Sequence, residues 1–268
     1  MSRTARTDAV FLVAAIGATA PFVIQLAGMA GGPAGDEVRR YVGNLGKLAF
    51  LAVAALGAVK SASRLEADNP MRAAWRMMAA GLVGFAAGEV VFVVYEVLLR
   101  VPSPFPSLAD AFFIASYPFL LAALMRAISA YGETGYPIGT TRERMGTAVA
   151  IGAAALLVAY PILKPVLEAP AAPLATVLNI AYPALDLALL VPVVILLRIA
   201  IRFRGGQVWL VWAGLLAGFL LMCVADVLYA YFSAMGKESL DPLVNVAFIL
   251  SYAAIARGAL GQYELLLH

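Results

Sequence analysis

Residues 208–232 read VWLVWAGLLAGFLLMCVADVLYAYF and hold a single charged side chain, that of Asp226. An α-helix needs about 20 consecutive, mostly apolar residues to cross the hydrocarbon core of a bilayer. This stretch is long enough. It therefore predicts a membrane-spanning helix that carries one carboxyl group at membrane depth.

The composition of the whole chain points to the same class of protein. Of 268 residues, 63% are hydrophobic and 13% are charged, and the mean hydropathy is +0.90. Soluble domains carry about 25% charged residues, so the composition excludes a soluble enzyme, a disordered tail and a basic nucleic-acid-binding protein. We expect an integral membrane protein that lies in a lipid bilayer and binds no nucleic acid.

Seven further stretches have the length and apolar character of a span. Together with 208–232, the predicted spans cover 9–28, 41–60, 75–99, 108–131, 145–163, 174–199 and 240–260. The connections between them are short, so no large soluble domain is expected. The predicted fold class is all-α, a polytopic membrane protein with eight transmembrane helices.

The basic residues are divided unequally between the two sides of the membrane that eight spans define. Thirteen Lys and Arg residues lie on the side of both termini, five lie on the other side, and Lys47 lies inside the second span. The thirteen are Arg3, Arg6, Lys60, Arg64, Arg72, Arg76, Arg126, Arg142, Arg144, Arg198, Arg202, Arg204 and Arg257, and the five are Arg39, Arg40, Arg100, Lys164 and Lys237. Because Lys and Arg concentrate in cytoplasmic loops, we predict a bacterial cytoplasmic (inner) membrane protein with both termini inside. Trp75, Trp209 and Trp212 are then expected in the aromatic belt at the cytoplasmic interface.

The chain also contains an internal repeat of about 135 residues. FIASY at 113–117 matches FILSY at 248–252, and the same shift of 135 places Asp110 on Asn245 and Asn44 on Asn179. A shift of 137 pairs the third predicted span with the seventh: Trp75 with Trp212, Gly81 with Gly218, Glu89 with Asp226, and Phe92 with Tyr229. We therefore predict two tandem four-helix repeats, 1–135 and 136–268. Since four is an even number, both repeats have the same orientation in the membrane.

Two residue types are too scarce to support several kinds of chemistry. Cys223 is the single cysteine and His268, the last residue, is the single histidine. Disulfide frameworks, zinc fingers, His-ligated haem or metal sites and Ser-His-Asp triads are excluded. We expect no cofactor and no metal, and any functional side chain inside the protein is a carboxyl, an amide, a hydroxyl or Lys47.

Polar side chains within spans are costly in a bilayer and usually face a protein interior or a wet cavity. Here carboxyl and amide groups recur with tyrosines at helical spacing, one stripe on each of several spans. We predict a polar, ligand-binding pocket between the two repeats, open toward the extracytoplasmic side. The candidate ligand-binding residues are Lys47, Glu89, Asp110, Tyr117, Asn179, Tyr182, Asp186, Asp226, Tyr229 and Asn245.

Structural roles remain open for some of these residues. SLAD at 107–110 has the form of a capping box at a helix start, which would make Asp110 a cap. Lys47 can neutralise a carboxylate in a buried pair, as a packing device. Glu96 lies near the outer interface, where it can simply be solvated.

Three short motifs resemble a known family. PSLADAFF at 106–113 followed by Tyr117-Pro118, Tyr182-Pro183 followed by Asp186, and VADVLY at 224–229 look like the motifs of a bacterial eight-span membrane sensor domain. That domain is found N-terminal to diguanylate cyclase (GGDEF) and EAL proteins. The resemblance covers the chain from the second span to the last and implies perception of a signal in or near the membrane. The sequence ends at His268 without an output domain, so we expect output through a separate partner.

These patterns favour a sensory or regulatory protein that binds a small or lipophilic ligand and signals to a cytoplasmic or membrane partner at Arg142, Arg144, Arg202 and Arg204. One alternative is an ion-coupled transporter, since carriers built from repeats hold their site between them. Another is a membrane-embedded lipid hydrolase resembling the lysoplasmalogenases, which also place carboxylates within eight spans. The sequence leaves enzymatic activity and oligomeric state undecided.

Overall fold

A computed structural model describes residues 3–29, 32–135, 138–168, 172–201 and 206–267, and within these ranges it leaves out the side chains at 3–4, 155, 158–159, 161–163, 207 and 238. The described residues form eight α-helices and no strand. The helices are α1 (Arg3–Leu26), α2 (Pro33–Arg64), α3 (Pro70–Phe92), α4 (Leu108–Glu133), α5 (Thr141–Glu168), α6 (Pro173–Ala200), α7 (Gln207–Ala234) and α8 (Asp241–Leu265). A π-helical segment, Val93–Leu98, extends α3, and a short 3-10 turn, Glu238–Leu240, precedes α8.

Seven of these helices, all except α5, are long and apolar enough to cross a membrane within the described residues. The chain is therefore a multi-pass membrane protein built of helices. Much of the apolar surface of α1 faces outward, as the exposed Leu12, Val13 and Ile16 show. An outward apolar surface is expected where lipid replaces water as the solvent.

Local hydrogen bonds explain where several helices begin. The Ser107 hydroxyl accepts the Ala109 N–H at 3.2 Å, and the Asp110 carboxylate accepts the Ser107 N–H at 2.6 Å, so the predicted capping box of α4 is confirmed. At α5, the Thr140 N–H donates to the Glu143 carboxylate at 2.8 Å. That hydrogen bond lowers the pKa of the exposed Glu143 carboxyl, because it stabilises the charged form.

The helices pack in two similar sets. In the first set α3 packs on α4 and α2, and in the second α7 packs on α8 and α6. A side chain on Gly81 would meet Leu120 and the Ser116 carbonyl, so α3 and α4 approach as closely as a glycine allows. Between the sets, α2 packs on α8 and α4 packs on α6.

The aromatic belt predicted for Trp75 and Trp212 is wrong. Both indoles are buried, with their ring centroids 6.3 Å apart, and the Trp212 N–H donates to the Tyr131 hydroxyl at 2.7 Å. A buried indole needs a partner for its N–H, and Tyr131 on α4 supplies one to Trp212. Trp209 is half-buried.

Candidate functional site

A cavity of about 260 Å³ lies near the end of the bundle where α3 ends and α4 and α8 begin, which we call the cavity end. Its wall comes from α2, α3, α4, α6, α7 and α8 and from residues 103–105 of the loop before α4. The charged and polar lining residues are Lys47, Glu89, Glu96, Ser103, Asp110, Asp226, Asp241 and Asn245. The remaining lining residues are Pro104, Met222, Val244 and nine aromatic residues: Phe85, Phe92, Phe105, Phe113, Tyr117, Tyr182, Tyr229, Phe248 and Tyr252.

An ion pair joins α2 to α3 at the cavity wall. The Lys47 ammonium lies 3.4 Å from Glu89 Oε1, and the two side chains are 12% and 2% exposed. The same ammonium lies 5.9 Å from the centre of the Phe92 ring. A lone buried charge would be costly, and the ion pair removes that cost. Lys47 therefore neutralises Glu89, as one prediction had it, and also lines the cavity, as the other had it.

Glu96 belongs to the same wall and lies on the π-helical segment. The Asn44 side-chain amide donates to Glu96 Oε2 at 2.8 Å and to the Arg40 carbonyl at 3.0 Å. A π-helical turn contains an extra residue and is often found at functional sites. Sequence reasoning missed this contact, although the spacing of seven residues between Glu89 and Glu96 already placed both carboxyls on one helix face.

Two tyrosine–aspartate hydrogen bonds connect α4 with α6 in a reciprocal arrangement. The Tyr117 hydroxyl donates to Asp186 Oδ1 at 2.7 Å, and the Tyr182 hydroxyl donates to Asp110 Oδ1 at 2.7 Å. Asp110 therefore uses one oxygen for the cap of α4 and the other for the bond to α6. The cap and the site, which the sequence left as alternatives, coexist in this residue.

Asp186 and Asp226 form a carboxyl pair between α6 and α7. Asp186 is buried, its Oδ2 accepts no hydrogen bond from a described donor, and the Asp226 carboxyl lies close enough to interact with it electrostatically. Asp226 lines the cavity, whereas Asp186 is not part of the lining and accepts the hydrogen bond of Tyr117.

Eight of the ten predicted site residues line the cavity: Lys47, Glu89, Asp110, Tyr117, Tyr182, Asp226, Tyr229 and Asn245. The ninth, Asp186, contacts two of these eight. Asn179 is half-buried on α6 and, within the described part of the chain, contributes nothing to the lining. The phenylalanines of the wall were not predicted, because their spacing on the helices is that of ordinary core residues.

The site offers no candidate metal centre. Within the described ranges, no three His, Cys, Asp or Glu side chains are placed to hold a metal ion together. The arrangement can hold a small molecule against aromatic rings and carboxyl groups. No known protein family, curated protein or solved structure matches this chain.

Proposed function

We propose that this chain is an eight-span membrane receptor that binds a small ligand in the cavity between two four-helix repeats and signals the occupied state to a partner. The observation that carries the proposal is the cavity itself, whose wall is drawn from both halves of the chain. Occupancy of such a site changes the contacts between the halves, which is what a sensor requires.

The composition of the wall supports the repeat. Fourteen of the twenty lining residues form seven pairs related by the shifts of 135 or 137. The pairs are Lys47 with Tyr182, Phe85 with Met222, Glu89 with Asp226, Phe92 with Tyr229, Asp110 with Asn245, Phe113 with Phe248, and Tyr117 with Tyr252. Trp75 and Trp212 are likewise equivalent, and they touch each other. Equivalent residues that meet lie on the axis relating the repeats, so this axis would pass between the two indoles and through the cavity.

Three hydrogen bonds support eight spans. The Thr7 hydroxyl on α1 donates to Glu264 on α8 at 2.9 Å, so the beginning of α1 and the end of α8 lie at the same end of the bundle, as an even number of spans between them requires. The two tyrosine–aspartate bonds step along α4 and α6 in the same direction, so these helices are parallel and the chain must cross back between them. With 28 residues at about 1.5 Å each, α5 is long enough for that crossing.

Lys and Arg are in excess at the end of the bundle opposite the cavity end. This excess supports an orientation in the bacterial inner membrane with both termini cytoplasmic. The cavity then opens to the extracytoplasmic side, and the partner would dock at the cytoplasmic face. Arg142 and Arg144 begin α5 on that face. Arg202 and Arg204, which the sequence also assigned to it, lie outside the described residues.

Side chains fill the space along the repeat axis on the cytoplasmic side of the cavity, and this favours a receptor over a transporter. The buried Trp75 and Trp212 side chains and the half-buried Tyr131 occupy the axis between the cavity and the cytoplasmic end. A carrier would need a second opening there. The motifs that resemble the GGDEF-associated sensor domain favour the same function.

One observation favours a lipid hydrolase as the second candidate. Two neighbouring carboxyl groups can supply an acid and a base to the same reaction, and Asp186 on α6 and Asp226 on α7 are neighbours. Release of aldehyde or fatty acid from ether or ester lipids by the purified protein, lost in Asp226→Asn, would establish this activity. If the lipids remain intact, the receptor function stands alone.

The receptor proposal is tested by filling the cavity. A library of small cationic, neutral and anionic metabolites is screened for thermal stabilisation of the purified protein in nanodiscs. We expect compounds that stabilise the native protein to have no effect on Met222→Trp, because the indole would occupy the space beside the buried Met222. The control is Val224→Trp, which adds the same ring at an exposed position of α7. Equal stabilisation of all three proteins, or no stabilising compound at all, would contradict a ligand site in the cavity.

A further inference from the structure

The geometry points to a small protonated amine with an aromatic or apolar body as the ligand of the cavity. This inference rests on the proposed receptor function and adds the chemical class of the ligand. It depends on three properties of the wall: an excess of carboxyl groups, a continuous set of aromatic rings, and the small volume.

The carboxyl groups outnumber the cations of the wall. Five lining residues are acidic and one, Lys47, is basic. Lys47 is already paired with Glu89. Glu96 and Asp110 accept hydrogen bonds from the neutral groups of Asn44, Ser107 and Tyr182, and neither forms an ion pair with any residue that the structure describes. A ligand that brings one positive charge would offset this excess, whereas an anionic ligand would increase it.

Glu89 keeps hydrogen-bonding capacity although it is paired with Lys47. Its Oε1 atom is buried and, despite the nearby ammonium of Lys47, accepts no hydrogen bond from a described donor. An ammonium group carries three N–H donors, so a protonated amine in the cavity can donate to the carboxyl groups that line it, which a quaternary ammonium could not do.

The aromatic rings suit the same ligand. A cation over an aromatic face is attracted by the negative charge density of the ring. The wall already holds one ammonium in this way, since Lys47 lies 5.9 Å from the centre of Phe92. The other rings give the apolar body of a ligand a surface to pack against. Among them, Phe105 of the loop and Tyr229 of α7 pack edge to face, with their ring centroids 6.0 Å apart.

The cavity volume limits the size of the ligand. The cavity measures about 260 Å³. Pockets for drug-sized molecules begin at about 300 Å³. A single ring with a short aminoalkyl arm fits this limit, and 2-phenylethylamine is such a molecule.

Three probes with the same body separate charge from shape. The probes are 2-phenylethylamine, 2-phenylethanol and 3-phenylpropionate, and their affinities for the full chain in nanodiscs are measured by isothermal titration calorimetry at pH 7 and low salt. We expect the amine to bind at least tenfold more tightly than the alcohol, and the propionate to bind more weakly than both. Equal affinities for amine and alcohol, or tightest binding of the propionate, would overturn the amine assignment.

Variants assign the effect to the cavity. Glu96→Gln should weaken amine binding about tenfold and leave alcohol binding unchanged, because it removes charge and keeps size. Glu37→Gln removes a charge from an exposed position at the same end of the bundle and should change neither affinity. If Glu96→Gln does not fold, Phe248→Leu serves instead and should weaken the amine more than the alcohol. A Glu37→Gln effect as large as that of Glu96→Gln would contradict a cavity site.

The two proposals can fail separately. Suppose that a metabolite from the library stabilises the native protein but not Met222→Trp, and that 2-phenylethylamine does not bind. The receptor proposal then stands and the amine class is wrong. If no compound binds in that manner, both proposals fail.

Discussion

Tyr117 shows how one hydroxyl holds the two halves together. It is buried, lines the cavity, and donates at 2.7 Å to Asp186, a residue 69 positions later in the chain. We expect Tyr117→Phe to destabilise the protein by about 1–3 kcal/mol, because a buried acceptor then loses its donor. Apparent melting temperature in detergent measures the effect. Tyr182→Phe is the matched control at a half-buried hydroxyl and should cost less; an equal or larger loss in Tyr182→Phe would contradict the ranking.

The Lys47–Glu89 pair makes a second prediction at the residue scale. Lys47→Met should destabilise the protein by about 3–5 kcal/mol, because it leaves the buried Glu89 carboxyl without its cation. The double variant Lys47→Met with Glu89→Leu removes both charges and should recover most of the stability. Melting temperatures of the two single variants and the double variant form the measurement. A double variant as unstable as the sum of the single variants would show that the pair does not act as a unit.

Sequence could identify the polar residues of the site, but not the apolar ones. A carboxyl or amide in a span is costly, so Glu89, Asp226 and Asn245 were detectable one by one. Phe85 and Phe113 follow the same helical spacing as core residues, and only the neighbouring helices determine whether a ring meets protein or a cavity. Asn179 illustrates a second limit. A polar stripe shows which face of a helix is turned to the protein, but it does not show which positions along that face reach the cavity.

At the scale of elements, close packing of α7 against α8 depends on a missing side chain. A Cβ on Gly218 would lie 2.3 Å from Ile255 and 2.9 Å from the Ser251 carbonyl oxygen, which is backbone and cannot rotate away. Gly218→Ala should therefore destabilise the protein by about 1–3 kcal/mol through overpacking. The control is Gly17→Ala in α1, where nothing lies within 4 Å and alanine should stabilise the helix by up to about 1 kcal/mol. Melting temperatures that move in the same direction for both variants would contradict this assignment.

The start of α4 and seven apolar helices long enough to cross a membrane followed from the sequence, whereas one distortion did not. The capping box at Ser107 has a local signature of four residues, so the start of α4 was predictable. The π-helical segment that ends the third span lacks such a signature, because it depends on which carbonyl each N–H finds after packing. It places Glu96 beside Asn44, a contact between residues 52 positions apart.

At the scale of the molecule, the proposed repeat identifies equivalent residues but not the distances between them. The shift of 137 pairs Trp75 with Trp212 and Glu89 with Asp226 in the same way. In the structure the first pair is in contact, and the second pair lies in the wall of a cavity. The difference arises from the side chains. Two indoles fill the space between α3 and α7, whereas two carboxyl groups turn to separate partners, Lys47 and Asp186.

The indole pair provides a reporter for the proposed rearrangement of the halves. A ligand shifts the arrangement of the two halves only if it binds one arrangement more tightly than the other. Trp75 and Trp212 come from different halves and meet below the cavity, so a relative shift would change their packing and the hydrogen bond to Tyr131. In a Trp209→Phe background, we expect 2-phenylethylamine to change the tryptophan emission, with a midpoint equal to the calorimetric Kd. Glu96→Gln should move that midpoint about tenfold, and Glu37→Gln should leave it in place. Calorimetric binding with unchanged emission would mean that the cavity holds its ligand without moving the halves, and signalling by their rearrangement would then be wrong.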